Sequence, residues 1–311
     1  MTGNPPTTAR FGSMLTAMIT PFDAEGRLDV DGAVKLAKYL VDHGNEGLVL
    51  AGTTGESPVL TDEEKTELWR SVCEAVTVPV IAGSGTYDTA HSIELTKTAE
   101  ACGAAGILAV CPYYNRPSQA GLEAHFRAVA GATSLPVMVY DIPVRTGRKL
   151  SHDLLLRLAN EVDNVVAVKD AGNDVVAASR LLAAAPSGFE LYSGDDVLTL
   201  PLLSIGAVGA VSVAGHWVGP QLAEMITAFR NGDPETARRI NAELIAAVAF
   251  QTNDETPNPV PAKAMLRELG LPAGHCRLPH VEPPEARLGE RARELIQAHG
   301  IAGRGAGGGR P

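Results

Sequence analysis

Asn164-Val165-Val166-Ala167-Val168-Lys169 is an unbroken apolar run that ends on a cation. It lacks the polar alternation of a strand with one face in water, so it reads as a strand buried on both faces, the habit of a parallel sheet. Seven more runs of this kind lie along the chain: Met14–Thr20, Gly47–Ala51, Val78–Ala82, Gly106–Cys111, Pro136–Tyr140, Glu190–Ser193 and Gly209–Val213. Helical stretches separate them. Thr61 to Glu64 offers a capping box, and Ser151 followed by Asp153 offers a capped, charge-matched first turn. Gly44 and Gly103 stand where two helices should close. Eight such units in about 220 residues have the size of a closed (β/α)8 barrel, the α/β TIM-barrel class. The rival, a doubly wound open sheet, usually carries GxGxxG after its first strand, and that motif is absent.

After Gly232 the rhythm changes. Pro234–Gln251, Pro261–Leu269 and Pro284–His299 read as helices with no strands between them. The expected organisation is a disordered tail over 1–11, the barrel over 12–232, a C-terminal helical extension over 233–301 and a Gly- and Arg-rich disordered tail over 302–311.

The chain has 311 residues, 45% hydrophobic and 20% charged, with a formal net charge of −10. A core of this size needs no disulfide or metal staple. The acidic balance argues against binding along a phosphate backbone. Aromatic residues make up only 5%, too few for the stacking platforms that bind single-stranded nucleic acid. Cys73, Cys102, Cys111 and Cys276 form no CxxC pair, and no histidine stands near them at zinc-ligand spacing, so they read as reduced thiols. No apolar run reaches membrane-spanning length. The polar N-terminus lacks the pattern of a signal peptide. A soluble, cytoplasmic protein without metal or cofactor is expected.

In a barrel the chemistry gathers where strands end. The second run is followed by Gly52-Thr53-Thr54-Gly55-Glu56-Ser57 and the fourth by Pro112-Tyr113-Tyr114-Asn115-Arg116-Pro117. The fifth leads into Tyr140-Asp141-Ile142-Pro143-Val144-Arg145-Thr146-Gly147, and the seventh into Gly194-Asp195-Asp196. Lys169 is the sharpest signal, because an amine at the end of a buried strand is desolvated and its pKa falls toward that of a nucleophile. A strand-end lysine paired with Asp170 or Glu56 satisfies the same spacing. The small residues and hydroxyls of Gly52 to Gly55 suit either a carboxylate nest with a proton relay or a plain turn. Tyr140 and Tyr114 are phenolic acids or space-fillers, and Arg145 is a bidentate anion binder or a surface cation. Gly83-Ser84-Gly85 is followed by no GKS or GKT, which removes a nucleotide loop.

Taken together, these motifs resemble the dihydrodipicolinate synthase family. Thr16-Ala17-Met18-Ile19-Thr20-Pro21-Phe22, Ser193-Gly194-Asp195-Asp196 and Pro257-Asn258-Pro259-Val260-Pro261 extend the likeness, which runs from Gly12 to Ile301. The resemblance implies that Lys169 forms a Schiff base with pyruvate and that the resulting enamine attacks L-aspartate 4-semialdehyde. It further implies that Thr53 links Tyr140 to a Tyr114 supplied by a neighbouring subunit of a homotetramer, a dimer of dimers. Thr54 and nearby amides would hold the pyruvate carboxylate, Gly194 and Val211 would line the lysine site through their carbonyls, and Arg145 would take the semialdehyde carboxylate. Sugar-acid and sialic-acid aldolases of the same superfamily share the lysine and Tyr140, and Arg145 with the paired threonines favours the synthase. A barrel that binds an oxo acid without catalysis is the reading from another class. Val144 departs from the small or polar residue common there, and its β-branch restricts the loop that carries Arg145. Lysine-inhibited relatives tend to use Asn and Glu where this chain has Tyr87 and His91, which implies a weak response to lysine.

Overall fold

The computed structural model describes residues 9–283 and 285–301. The eight parallel strands are β1 Met14–Ala17, β2 Gly47–Leu50, β3 Val80–Gly83, β4 Gly106–Val110, β5 Val137–Asp141, β6 Val165–Asp170, β7 Glu190–Ser193 and β8 Gly209–Ser212. They pair in chain order, and β8 pairs back onto β1 to close the barrel. The Val- and Ile-rich runs follow from this geometry. One face of each strand fills the interior with Leu15, Val49, Ile81, Leu108, Met138, Ala167 and Val211, and the other packs under helices.

Helices α1 Val30–Asp42, α2 Asp62–Ala75, α3 Thr89–Ala101, α4 Gln119–Ala130, α5 Pro143–Thr146, α6 His152–Glu161, α7 Val175–Ala184, α8 Thr199–Leu203 and α9 Gly215–Arg230 accompany the strands. The capping box of α2 is complete in both directions between Thr61 and Glu64. Ser151 accepts from the Leu154 N–H at 3.2 Å to start α6. Gly44 and Gly103, at φ 86° and 87°, end α1 and α3 in the left-handed region that a side chain would disfavour. The repeat is less regular than its sequence pattern. A one-turn α5 follows β5, and a short 3-10 turn, Asp196–Leu198, precedes the brief α8. The apolar run Met14–Thr20 is a strand only to Ala17. Ile19 and Thr20 are fully buried but bond elsewhere, the Ile19 N–H to His216 Nε2 at 3.1 Å and the Thr20 hydroxyl to the Gly55 carbonyl at 2.7 Å.

Three further helices, α10 Pro234–Ala249, α11 Val260–Glu268 and α12 Glu285–His299, follow the barrel. The stretches expected as tails lie outside the described residues at 1–8 and 302–311. Phe11, the last residue of the first of them, is instead part of the core at 1% exposure. Its ring closes the floor of the barrel beside Tyr192, with 6.4 Å between ring centroids. The Tyr192 hydroxyl donates to Glu190 at 2.9 Å, and Glu190 also accepts the Arg10 N–H at 2.8 Å. Gly106 makes this plug possible, since a Cβ there would stand 2.7 Å from the Phe11 ring. Among the described residues, no helix is long and apolar enough to cross a membrane, and no three metal-ligating side chains gather.

Candidate active site

At the opposite end of the barrel, β5 and β6 place two of the candidate residues side by side. Tyr140 is in register with Lys169 across the parallel pair, so both side chains point to the same face, into the mouth. The Lys169 amine stands 4.3 Å from the centroid of the Tyr140 ring. Lys169 is 4% exposed, and burial brings its pKa down to about 8, helped by the Arg145 guanidinium and opposed by the Asp196 carboxylate. Among the described residues no carboxylate forms an ion pair with it. Glu56 is engaged 2.7 Å from Lys263, and Asp170 lies 3.8 Å from Lys149, so the structural pairing that spacing allowed is not made.

Burial pushes the Tyr140 phenol up to about 12, against the opposing effects of Arg145 and of a hydrogen bond with Thr53. A phenol that keeps its proton at neutral pH, bonded to a hydroxyl, is a ready proton carrier. Thr53 is half-buried in the turn after β2, and the N–H groups of Thr53 and Thr54 make no hydrogen bond among the described residues. They are donors available to an anion.

The Thr54 hydroxyl accepts from Asn258 Nδ2 at 2.9 Å, and the Asn258 carbonyl accepts from Arg145 at 3.3 Å. Asn258 thus ties the β2 turn to the arginine of α5. Its motif is visible in the sequence, but its role depends on a contact across 204 positions. Glu56, one residue after Gly55, has φ 56°. It is held by the Lys263 amine and by the Arg277 N–H at 2.9 Å, while Lys263 donates to the His275 carbonyl at 3.0 Å. The extension after the barrel therefore fixes the conformation of the β2 turn.

Gly194 is half-buried beyond β7, and its N–H donates to the Asp170 carbonyl at 2.7 Å. A Cβ at this glycine would come within 3.0 Å of both Ala171 and the Asp170 carbonyl, so the close approach of the two strand ends needs glycine. Val211 on β8 faces the barrel interior with Tyr140 and Ala167. Tyr114 is not brought to this group within the chain. It is 93% exposed at φ 70°, while its neighbour Tyr113 lines the mouth and packs edge-on against Tyr87 at 5.5 Å. Two adjacent tyrosines give no periodicity by which sequence could tell them apart. Above the site lies a cavity of about 190 Å³ lined by Thr53, Tyr113, Tyr140, Ile142 and Arg145. His91 pairs with Asp62 at 2.9 Å.

The model of the Dihydrodipicolinate synthetase family matches residues 10–298. A protein named 4-hydroxy-tetrahydrodipicolinate synthase in Moorella thermoacetica is 53% identical over 274 residues, covering 88% of this chain and 93% of that protein. A protein of the same name in Acidothermus cellulolyticus is 51% identical over 295 residues and covers 94% of each chain. Among solved structures, the enzyme from Cyanidioschyzon merolae with lysine bound superposes with a TM-score of 0.90 at 43% identity. That match covers 94% of this chain and 99% of the other.

Proposed function

Because the chain belongs to the dihydrodipicolinate synthetase family, we propose that it condenses pyruvate with L-aspartate 4-semialdehyde to give 4-hydroxy-tetrahydrodipicolinate. The observation that carries this reading is the buried Lys169 amine at the end of β6, beside the Tyr140 ring and outside any ion pair among the described residues. Its nitrogen attacks the ketone carbon of pyruvate, and the ketone oxygen leaves as water. The iminium then loses a methyl proton to become an enamine, whose carbon attacks the aldehyde of the second substrate. The amino group of that substrate closes the ring and releases Lys169.

Thr53 and Tyr140 carry protons in these steps, and Thr54 with the free N–H groups of its turn receives the pyruvate carboxylate. Arg145 takes the carboxylate of the semialdehyde. Gly194 and Val211 present backbone carbonyls to the lysine site. Tyr114 completes the relay from a neighbouring subunit of a homotetramer. Its exposure on the isolated chain is consistent with a place in an interface. Turnover responds weakly to lysine, since the positions where lysine-inhibited relatives tend to use Asn and Glu hold Tyr87, edge-on against Tyr113, and His91, paired with Asp62. The test is trapping of the pyruvate imine with borohydride, followed by a turnover assay with aspartate semialdehyde. Mass added at Lys169 together with turnover supports the reading. A trapped adduct without semialdehyde turnover would move the assignment to a pyruvate-dependent aldolase of another oxo acid.

A further inference from the structure

The two strands that carry Tyr140 and Lys169 do not keep one register. Val137 of β5 pairs with Val165 of β6, but Met138 pairs with Ala167, so β6 holds one extra residue, Val166. Above this irregularity Tyr140 pairs with Lys169 and Asp141 with Asp170. Had the lower register run on, Tyr140 would stand opposite Val168 and Asp141 opposite Lys169. The approach of the Tyr140 ring to the Lys169 amine therefore depends on the register the strand ends adopt.

The next pair does not favour that register by itself. Asp141 and Asp170 are buried like charges set directly opposite each other, an unfavourable arrangement. Lys149 stands between them, its amine 2.5 Å from Asp141 and 3.8 Å from Asp170. Each carboxylate also accepts a backbone N–H, Asp141 from Leu150 at 3.2 Å and Asp170 from Gly172 at 2.7 Å. The Lys149 backbone is tied down in turn. Its carbonyl accepts from Gln119 Nε2 at 2.9 Å, and Gln119 Oε1 accepts the Ser151 N–H at 3.0 Å. A Cβ at Gly172 would collide with the Lys149 amine, so that glycine leaves the cation its place. Burial works against charge on this amine, yet Asp141 and Asp170 raise its pKa above the ordinary value, and it is charged at neutral pH. Side chains alternate along a strand, so this cluster lies behind Tyr140 and Lys169 and outside the mouth.

We propose that Lys149 is a positioning residue for the imine chemistry: its amine bridges Asp141 and Asp170 and so pins the register that sets Tyr140 beside Lys169. This rests on the Schiff-base reading above. The bridge requires both carboxylates side by side, which only the shifted register provides. Without the cation the same two groups repel. The Ala171 N–H still reaches the Asp141 carbonyl at 2.9 Å, and the Gly194 N–H the Asp170 carbonyl at 2.7 Å, so the barrel stays closed while the strand ends lose alignment. The loss falls on the geometry of attack and proton transfer, and spares the β2 turn that receives the pyruvate carboxylate.

The experiment mixes the protein with pyruvate at several concentrations, reduces with borohydride at timed intervals and reads mass added at Lys169. A wild-type protein that gives no adduct overturns the Schiff-base reading, and this proposal with it. With the wild-type adduct established, Lys149→Met is compared. Its rate of adduct formation at saturating pyruvate should fall about 10- to 100-fold, the scale of loss when reacting groups are misplaced by about 1 Å. The pyruvate concentration for half-maximal rate should move less than about twofold, because the carboxylate contacts are untouched. Lys149→Arg, whose fork can span both carboxylates, should return the rate to within about threefold of wild type. A folded Lys149→Met protein with the wild-type rate would overturn the proposal. A matching rise in half-saturation, or no recovery with arginine, would show a merely structural role and overturn it too. Should Lys149→Met fail to fold, Asp170→Asn keeps an acceptor for the Gly172 N–H and removes one charge of the bridge. An unchanged rate in that variant overturns the proposal, and a lowered rate at unchanged half-saturation supports it.

Discussion

Replacing Lys169 with Met should abolish turnover and at the same time make the protein more stable. Burial holds the amine near a pKa of 8, down from an ordinary 10.5. At neutral pH the lysine is charged in the unfolded chain and mostly charged in the folded one, where that charge is out of water. One pKa unit corresponds to about 1.36 kcal/mol, so the folded state carries a penalty of about 3 kcal/mol at pH 7. The folded value lies below the unfolded one, so between pH 8 and 10.5 the native protein binds fewer protons than the unfolded chain. Stability therefore rises with pH through that window, and the penalty is fully present only below it.

Methionine has a similar length, no charge and a sulfur that packs well on the Tyr140 ring. Lys169→Met should gain about 3 kcal/mol at pH 7, a rise in Tm of roughly 6–12 °C. The gain should shrink to nothing as pH approaches 10.5. Urea unfolding of both proteins at one fixed concentration, repeated across that pH range, measures it. A variant no more stable than wild type at pH 7, or a gain that stays constant with pH, would refute the reasoning.

Lys263→Met should lose about 3–5 kcal/mol in denaturant unfolding because it strands the buried Glu56 carboxylate. Glu56→Gln combined with Lys263→Met should recover most of that loss, and a double variant as unstable as the single would disprove the pairing. Asn258→Ala removes the donor to Thr54 and should lower kcat/KM for pyruvate up to about tenfold, the worth of one hydrogen bond. Its Tm should change little, and a large drop would show a structural role instead. Arg145→Ala should raise KM for the semialdehyde roughly 10- to 150-fold, the worth of a charged hydrogen bond, and leave pyruvate trapping intact. Equal loss in both assays would remove Arg145 from the second-substrate role. Tyr140→Phe should lower kcat by about 10²–10⁴ while pyruvate binding persists, and steady-state kinetics with retained kcat would exclude the phenol as proton carrier.

The barrel was legible because its strands are buried on both faces, which leaves apolar runs that need no knowledge of their partners. Lys169 was legible for the same reason, as the one cation closing such a run. The irregular pieces were not. Ile19 and Thr20 look like strand residues because burial alone fixed their chemistry, while their hydrogen bonds go to His216 and to the β2 turn. Phe11 looks like tail, since a single ring filling the space left by Gly106 has no period. Asn258 and Lys263 act on the β2 turn from a distant part of the chain. Local spacing carries no trace of such contacts.

The Phe11 plug bears on traffic as well as on packing. Phe11, Tyr192 and Glu190 pack across the floor, at the end of the barrel away from Lys169. In the proposed scheme both reactants and the released water therefore pass through the mouth, and the floor shields the enamine from solvent on the far side.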